Sequence, residues 1–408
     1  MECLSEDVVV KICSYLTLQD RLELSYTSKR IFFFVQETWR DYALSMGWKF
    51  RNESSWIDVC KTYHRLQKGW FTGEFKSERI PLNEAAQTRQ ELFGIKRSGD
   101  TFAMCTNSDV SCFQSDPKTF KMHPLTLKRL ETAENTLAMS GPFLVVVDTL
   151  SSELVVLNQI ECTEHRVQLP PGLTFDMCHM TSRHVILGTD TGKILLYTMG
   201  NPEEILLIHD GEDEISCWTG TDTSLCVAFW TGEMTCFSLS GVQVVPTASF
   251  NLGGNVVLYA VSFTPHFLYY GTADGQVGRI NIAGHHDGGA IEMFTKCHAG
   301  SVYCVATNRT TLVSGGADSR VVFWSLDGRE RGSDHMAHIG VVRHIYLNDW
   351  LMVTAGDANI IVVWNPVTMT LKHKLHHNPL KIKFLVVQES WMAYGAPDSN
   401  FVMCVFVK

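Results

Sequence analysis

A chain of 408 residues is longer than one ordinary hydrophobic core, which leaves two domains or an array of repeats. With 45% apolar, 19% charged and 11% aromatic residues, the composition suits a globular protein rich in buried β-structure. A net charge of −9 without any basic block excludes the footprint of a general nucleic-acid binder, and no run of about 18 apolar residues marks a membrane span.

The opening stretch, MECLSEDVVVKICSYL, is acidic and its apolar run is broken by Lys11, so it does not read as a signal peptide. The 13 cysteines are scattered and form no Cys-x-x-Cys pair. They read as free thiols of a reducing compartment, with Cys236, Cys304 and Cys404 acting as small apolar side chains in strands. The cytoplasm is the expected location, with a nuclear pool left open.

The first 47 residues carry a helical period. Ser5 can cap a helix whose first turn holds Glu6 and Asp7, and Val8, Ile12 and Leu16 recur every fourth residue on one face. Thr17-x-x-Asp20 opens a short second helix with Leu22 and Leu24. A third runs from about Lys29 to Met46 and stops at Gly47. Three short helices make a poor private core, so the unit should bury an apolar face on something else. The segment resembles an F-box: Leu4, Glu6, Ile12, Ser14, Tyr15, Leu16, Asp20, Leu22, Leu24, Ser28, Lys29, Trp39 and Arg40 match that family's pattern. Ser5 stands where Pro is usual and Cys13 where Phe is common. The resemblance implies that Leu4, Val8, Ile12, Leu16 and Leu22 bind the Skp adaptor. The alternative is a helical cap on the rest of the chain.

Residues 48–68 are expected to be a helical linker, because Trp56, Val59, Cys60, Tyr63 and Leu66 fall at helical spacing over 54–67. From residue 69 the period changes to that of strands. Eight strand–turn–strand units follow, and their second strands close at positions 113, 157, 197, 237, 280, 324, 364 and 406, a period of 40 to 44 residues. Four short strands per unit at that period predict an all-β propeller of eight blades over 69–408. A β-sandwich with regular turns would not keep so constant a long period. The last unit lacks an outer strand at its C-terminal end, and residues 69–82, with Trp70, Phe71 and Phe75, are expected to supply it and close the ring.

Two units carry a longer pattern. His298 precedes Ser314 by 16 residues and Ser314 precedes Trp324 by 10; His338, Thr354 and Trp364 repeat the spacing. With Asp318 in the turn, this resembles the WD-repeat family, in which the four side chains hydrogen-bond within a blade. A buried imidazole and a buried indole N–H each need a partner, and a hydroxyl and a turn carboxylate supply them. In the second unit Asp357 stands one place early, with Ala358 at the expected position. These histidines therefore read as structural, and the GHHDGG stretch at 284–289 reads as a solvated loop before it reads as a metal site.

No phosphate loop, His-Glu-x-x-His or Gly-x-Ser-x-Gly motif occurs, so neither a catalytic residue nor a cofactor is expected. An F-box followed by a WD-repeat propeller resembles the substrate receptors of SCF-type cullin–RING ubiquitin ligases. The resemblance implies two partners: the Skp adaptor, with the cullin–RING ligase behind it, and a protein substrate on the propeller. The alternative is a WD-repeat scaffold outside ubiquitination. In relatives that read phosphorylated substrates, arginines sit five residues after the His. Those places here hold Arg343, Tyr303 and Lys383, with Ser216 and Asp176 aligned in earlier units. Tyr303, Arg343 and Lys383 are therefore the expected centre of a mixed-charge peptide site with little phosphate preference.

Overall fold

The computed structural model describes residues 11, 39–44, 48, 55–80, 92–98, 101–106, 109–115, 122–129, 136–200, 205–240, 244–253, 256–282, 289–295, 298–358, 360–376, 382–395 and 401–406. Leu4, Val8, Ile12, Leu16 and Leu22 lie outside these residues, as does His285-His286-Asp287.

The described strands form eight antiparallel sheets of four strands each. Seven take four consecutive strands, from Leu92–Arg129 (blade 1) to Val342–His376 (blade 7). The innermost strands touch their neighbours in chain order, and the innermost strand of blade 8 (Phe384–Val387) touches that of blade 1 (Leu92–Ser98), which completes a ring. The apolar cores lie between adjacent sheets: Val313 and Phe323 of blade 6 pack with Val342, Met352 and Trp364 of blade 7. Close approach of the blades has a sequence cost at Gly315, where a Cβ would stand 2.6 Å from Val342 Cγ1. Gly188 and Gly271 hold the same place against Ile215 and Val302. Gly315 and Gly316 end the strand Thr311–Gly316, and the left-handed turn residue is Ser319, at φ 65°.

Blade 8 is built from both ends of the described chain. Phe384–Val387, Trp391–Gly395 and Phe401–Phe406 are joined by Phe75–Ile80 as the outermost strand, paired from Phe75 with Phe406 to Ile80 with Phe401. The segment before it differs from the sequence expectation. The linker helix spans Trp56–Thr72 and so takes in residues 69–72, where a strand was expected. The apolar spacing that begins at Trp56 continues through Leu66 to Trp70, and only Gly73, at φ 73°, stops the helix. Ser55 caps its start, accepting from the Asp58 N–H at 3.3 Å.

The helix is fastened to the ring by buried aromatic side chains. Trp70 stacks on Phe406 at 3.5 Å and donates its indole N–H to the Glu389 carbonyl at 2.7 Å. Tyr63 donates its hydroxyl to the Glu389 carboxylate at 2.8 Å and meets Trp350 edge-on. Helical residues 39–44 join the same core through Trp39 and Ala43, and Trp48 stacks on Tyr63 at 5.2 Å. One apolar cluster therefore runs from the N-terminal helical region through the linker helix into blades 7 and 8. A cavity of about 710 Å³, lined by Phe263, Tyr346, Trp350 and Glu389, lies on this side of the ring, at the turns between first and second strands.

Candidate functional site

The side chains that set the geometry of blade 6 come from two strands, the turn between them and the segment that leads into the innermost strand. His298 Nδ1 lies 2.9 Å from Asp318 Oδ1, His298 Nε2 lies 2.8 Å from Ser314 Oγ, and Trp324 Nε1 donates to the same hydroxyl at 2.9 Å. All but Asp318 are fully buried. Burial holds the imidazole below its ordinary value, against the opposing pull of Asp318. A neutral ring satisfies every group in one way: Nδ1–H donates to the carboxylate, and Nε2 accepts from Ser314, whose oxygen accepts from the indole. Burial alone would raise the Asp318 carboxyl, but the bonds from His298 and the Ala299 N–H outweigh it and hold the carboxyl low. His298 therefore has no position left for a metal or substrate.

Blade 7 repeats the arrangement without the acid. His338 Nε2 lies 2.8 Å from Thr354 Oγ1, and Trp364 Nε1 donates to that hydroxyl at 2.9 Å. His338 Nδ1 is buried without a partner. Burial pushes this imidazole down to about 4. The one-place shift of Asp357 has redirected its carboxylate to Arg343, which it grips at 2.7 and 3.0 Å through Nε and Nη2.

No family model matches the chain, and no curated protein matches it in sequence. Solved structures do match in shape. The computationally designed protein Ika8 aligns with a TM-score of 0.64 at 16% identity, over 78% of this chain and 97% of its own. Sqt1 of Saccharomyces cerevisiae aligns at 0.63 and 11%, over 82% and 98%, and BamB of Moraxella catarrhalis at 0.60 and 12%, over 81% and 96%. At such identities the likeness concerns the fold. The fold is a β-propeller. Among the described residues it has eight four-stranded blades, with a small helical region at the N-terminal end.

The upper face of the propeller carries the starts of the innermost strands and the turns between second and third strands. Two of the three expected site residues meet there. The Arg343 guanidinium lies over the Tyr303 ring, 4.9 Å from its centre. Lys383 is seated over the adjacent Phe384 ring at 5.5 Å. Two further residues extend the pair and were missed from sequence. Tyr259 of blade 5 stacks on Tyr303 at 5.1 Å and 16°, and Trp230 of blade 4 meets Tyr259 edge-on at 5.9 Å. Rings from blades 4, 5 and 6 thus form a row that ends on the Arg343–Asp357 pair of blade 7. Tyr259 was missed because the place five residues before it is Gly254, so the spacing from a histidine could not find it. Its signal was register: Tyr259, Tyr303 and Arg343 each follow the first residue of an innermost strand. Asp176 and Ser216 hold that register in blades 3 and 4.

The arrangement is suited to holding a chain across several blades. Trp230 is 41% exposed, and stacked aromatic rings offer large contact areas at small entropic cost. Burial pushes the thiols of Cys112, Cys178, Cys217 and Cys404 up to about 12, which keeps them protonated. Among the described residues no group of three His, Cys, Asp or Glu side chains could hold a metal ion.

Proposed function

We propose that this propeller is the substrate receptor of an SCF-type cullin–RING ubiquitin ligase. In this reading Leu4, Val8, Ile12, Leu16 and Leu22 bind the Skp adaptor and the upper face holds a protein substrate. The ubiquitin-transfer chemistry belongs to other subunits, and this chain contributes proximity. The fold itself is one generally used for protein-interaction scaffolds. What supports the finer reading is the F-box pattern of residues 4–40 together with the way the helical region is fastened. Trp39, Trp48, Tyr63 and Trp70 are buried in one core with Trp350 and Phe406 of the ring. A receptor must hold its substrate at a fixed distance from the transferring enzyme, and a flexible tether would lose that geometry. The proposed location is the cytoplasm, with the nucleus open to the same ligase.

The deciding experiment is purification of the full-length chain from cells under mild salt, followed by detection of the Skp adaptor and cullin. Leu16→Glu should abolish both, because burying one such apolar side chain is worth about 1.5–3 kcal/mol and the substitution adds a charge to the contact. A chain that brings down neither partner would instead be a scaffold outside ubiquitination.

A further inference from the structure

The upper face is electrically lopsided. On the blade 7 side, the planar fork of Arg343 is already engaged by both oxygens of Asp357 and by the Tyr303 ring. A guanidinium so occupied has two of its five N–H donors committed and its charge balanced by a carboxylate, which weakens its attraction for a phosphate. On the blade 3 and 4 side, Asp176 stands in the register that Arg343 holds in blade 7. Its carboxyl is held above the ordinary carboxylate range by burial and by the neighbouring charges of Asp190 and Glu214, so both of those carboxylates lie within electrical reach of Asp176. None of the three has an ion-pair partner among the described residues. The exposed Trp230 ring is tied to this acidic end, since its backbone N–H donates to the Glu214 carbonyl at 3.0 Å. The row Trp230–Tyr259–Tyr303 leads away from the acids toward the neutral Arg343–Asp357 pair.

We infer that the substrate segment held on this face is basic: an extended peptide whose Lys or Arg side chain lies against Trp230 and points to Asp176, Asp190 and Glu214, its apolar neighbours covering Tyr259 and Tyr303. Charge complementarity carries this assignment. Unpaired carboxylates beside an exposed indole attract a cation through both the charges and the ring face, whereas an acidic or phosphorylated segment would meet like charge at one end and an occupied arginine at the other. The inference rests on the reading of this face as the substrate-holding side of the receptor.

The test uses the intact chain and fluorescein-labelled nonapeptide pools whose central residue is Arg, Lys, Gln, Glu or phosphoserine, with binding followed by anisotropy. The Arg and Lys pools should bind about tenfold more tightly than the Gln pool. That preference should vanish in the doubly substituted Asp176→Asn, Glu214→Gln protein, which alters charge at almost constant shape. Trp230→Ala should weaken both basic pools, and thermal melting of each variant checks that the ring remains folded. A preference for the phosphoserine or Glu pool, binding of no pool, or an Arg preference that survives the double substitution overturns the inference. Skp binding is measured on the same preparations. Its absence refutes the ligase reading and leaves the peptide result standing; its presence without a basic preference refutes this inference alone.

Discussion

Replacing Trp70 with Ala should open the closing blade while leaving the far side of the ring shut. Trp70 is fully buried, stacks on Phe406 and hydrogen-bonds the Glu389 carbonyl, so one side chain bridges the linker helix to two segments of blade 8. Truncating a buried Trp costs about 3–5 kcal/mol, of which the hydrogen bond is about 1. The loss falls where Phe75–Ile80 pairs with Phe401–Phe406, the strand pairing that joins the two ends of the described propeller. Native-state amide exchange reads local opening directly. A local loss of about 3 kcal/mol makes the amides of Phe401–Phe406 exchange roughly a hundredfold faster, because each 1.4 kcal/mol is about tenfold. Those of Val321–Ser325 in blade 6 should be unchanged. Trp70→Phe, which keeps a stacking ring but loses the donor and part of the indole volume, should give an increase of at least about fivefold that stays below that of Trp70→Ala. Protection of the closing strands that does not change, or an equal loss in blade 6, would refute the argument that the helix clasps this blade.

Three other outcomes follow from the blade geometry. Ser314→Ala strands His298 Nε2 and the Trp324 indole N–H, both buried, and should destabilise blade 6 by about 2–5 kcal/mol by exchange of Thr311–Gly316 amides, whereas Ser325→Ala, which loses only the exposed turn bonds to Asp327 and Arg329, should cost about 1 kcal/mol or less. His338 is held neutral in the folded state down to about pH 4, below its ordinary value of 6.5, so its contribution is complete above about pH 6.5 and is lost as pH falls toward 4. The loss approaches ~3 kcal/mol in blade 7, and an imidazole resonance titrating near 6.5 would refute it. Asp357→Asn removes the charge that occupies Arg343 and should give the upper face a capacity for phosphopeptides, seen as anisotropy with the phosphoserine pool, that the natural chain lacks.

The repeat was legible because a propeller blade is a local object. Each needs four short strands and tight turns, and the period of 40 to 44 residues marks them even where the WD signature has eroded. The His298–Ser314–Trp324 spacing was legible for the same reason, since a buried imidazole and indole need partners at set places on adjacent strands. The end of the linker helix was not, because Trp70 and Phe71 fit a strand or a helix equally well and only packing against Phe406 and Glu389 selects the helix. Nor was the fate of Arg343 and Asp357. Their 14-residue separation along the chain says nothing of a bidentate grip, which exists because two adjacent strands of blade 7 bring them together on the upper face. The same holds for the row of Trp230, Tyr259 and Tyr303. Residues this far apart in sequence become neighbours only when consecutive blades are turned about a common axis, so the chain by itself determined the blades and the closed ring decided what they present together.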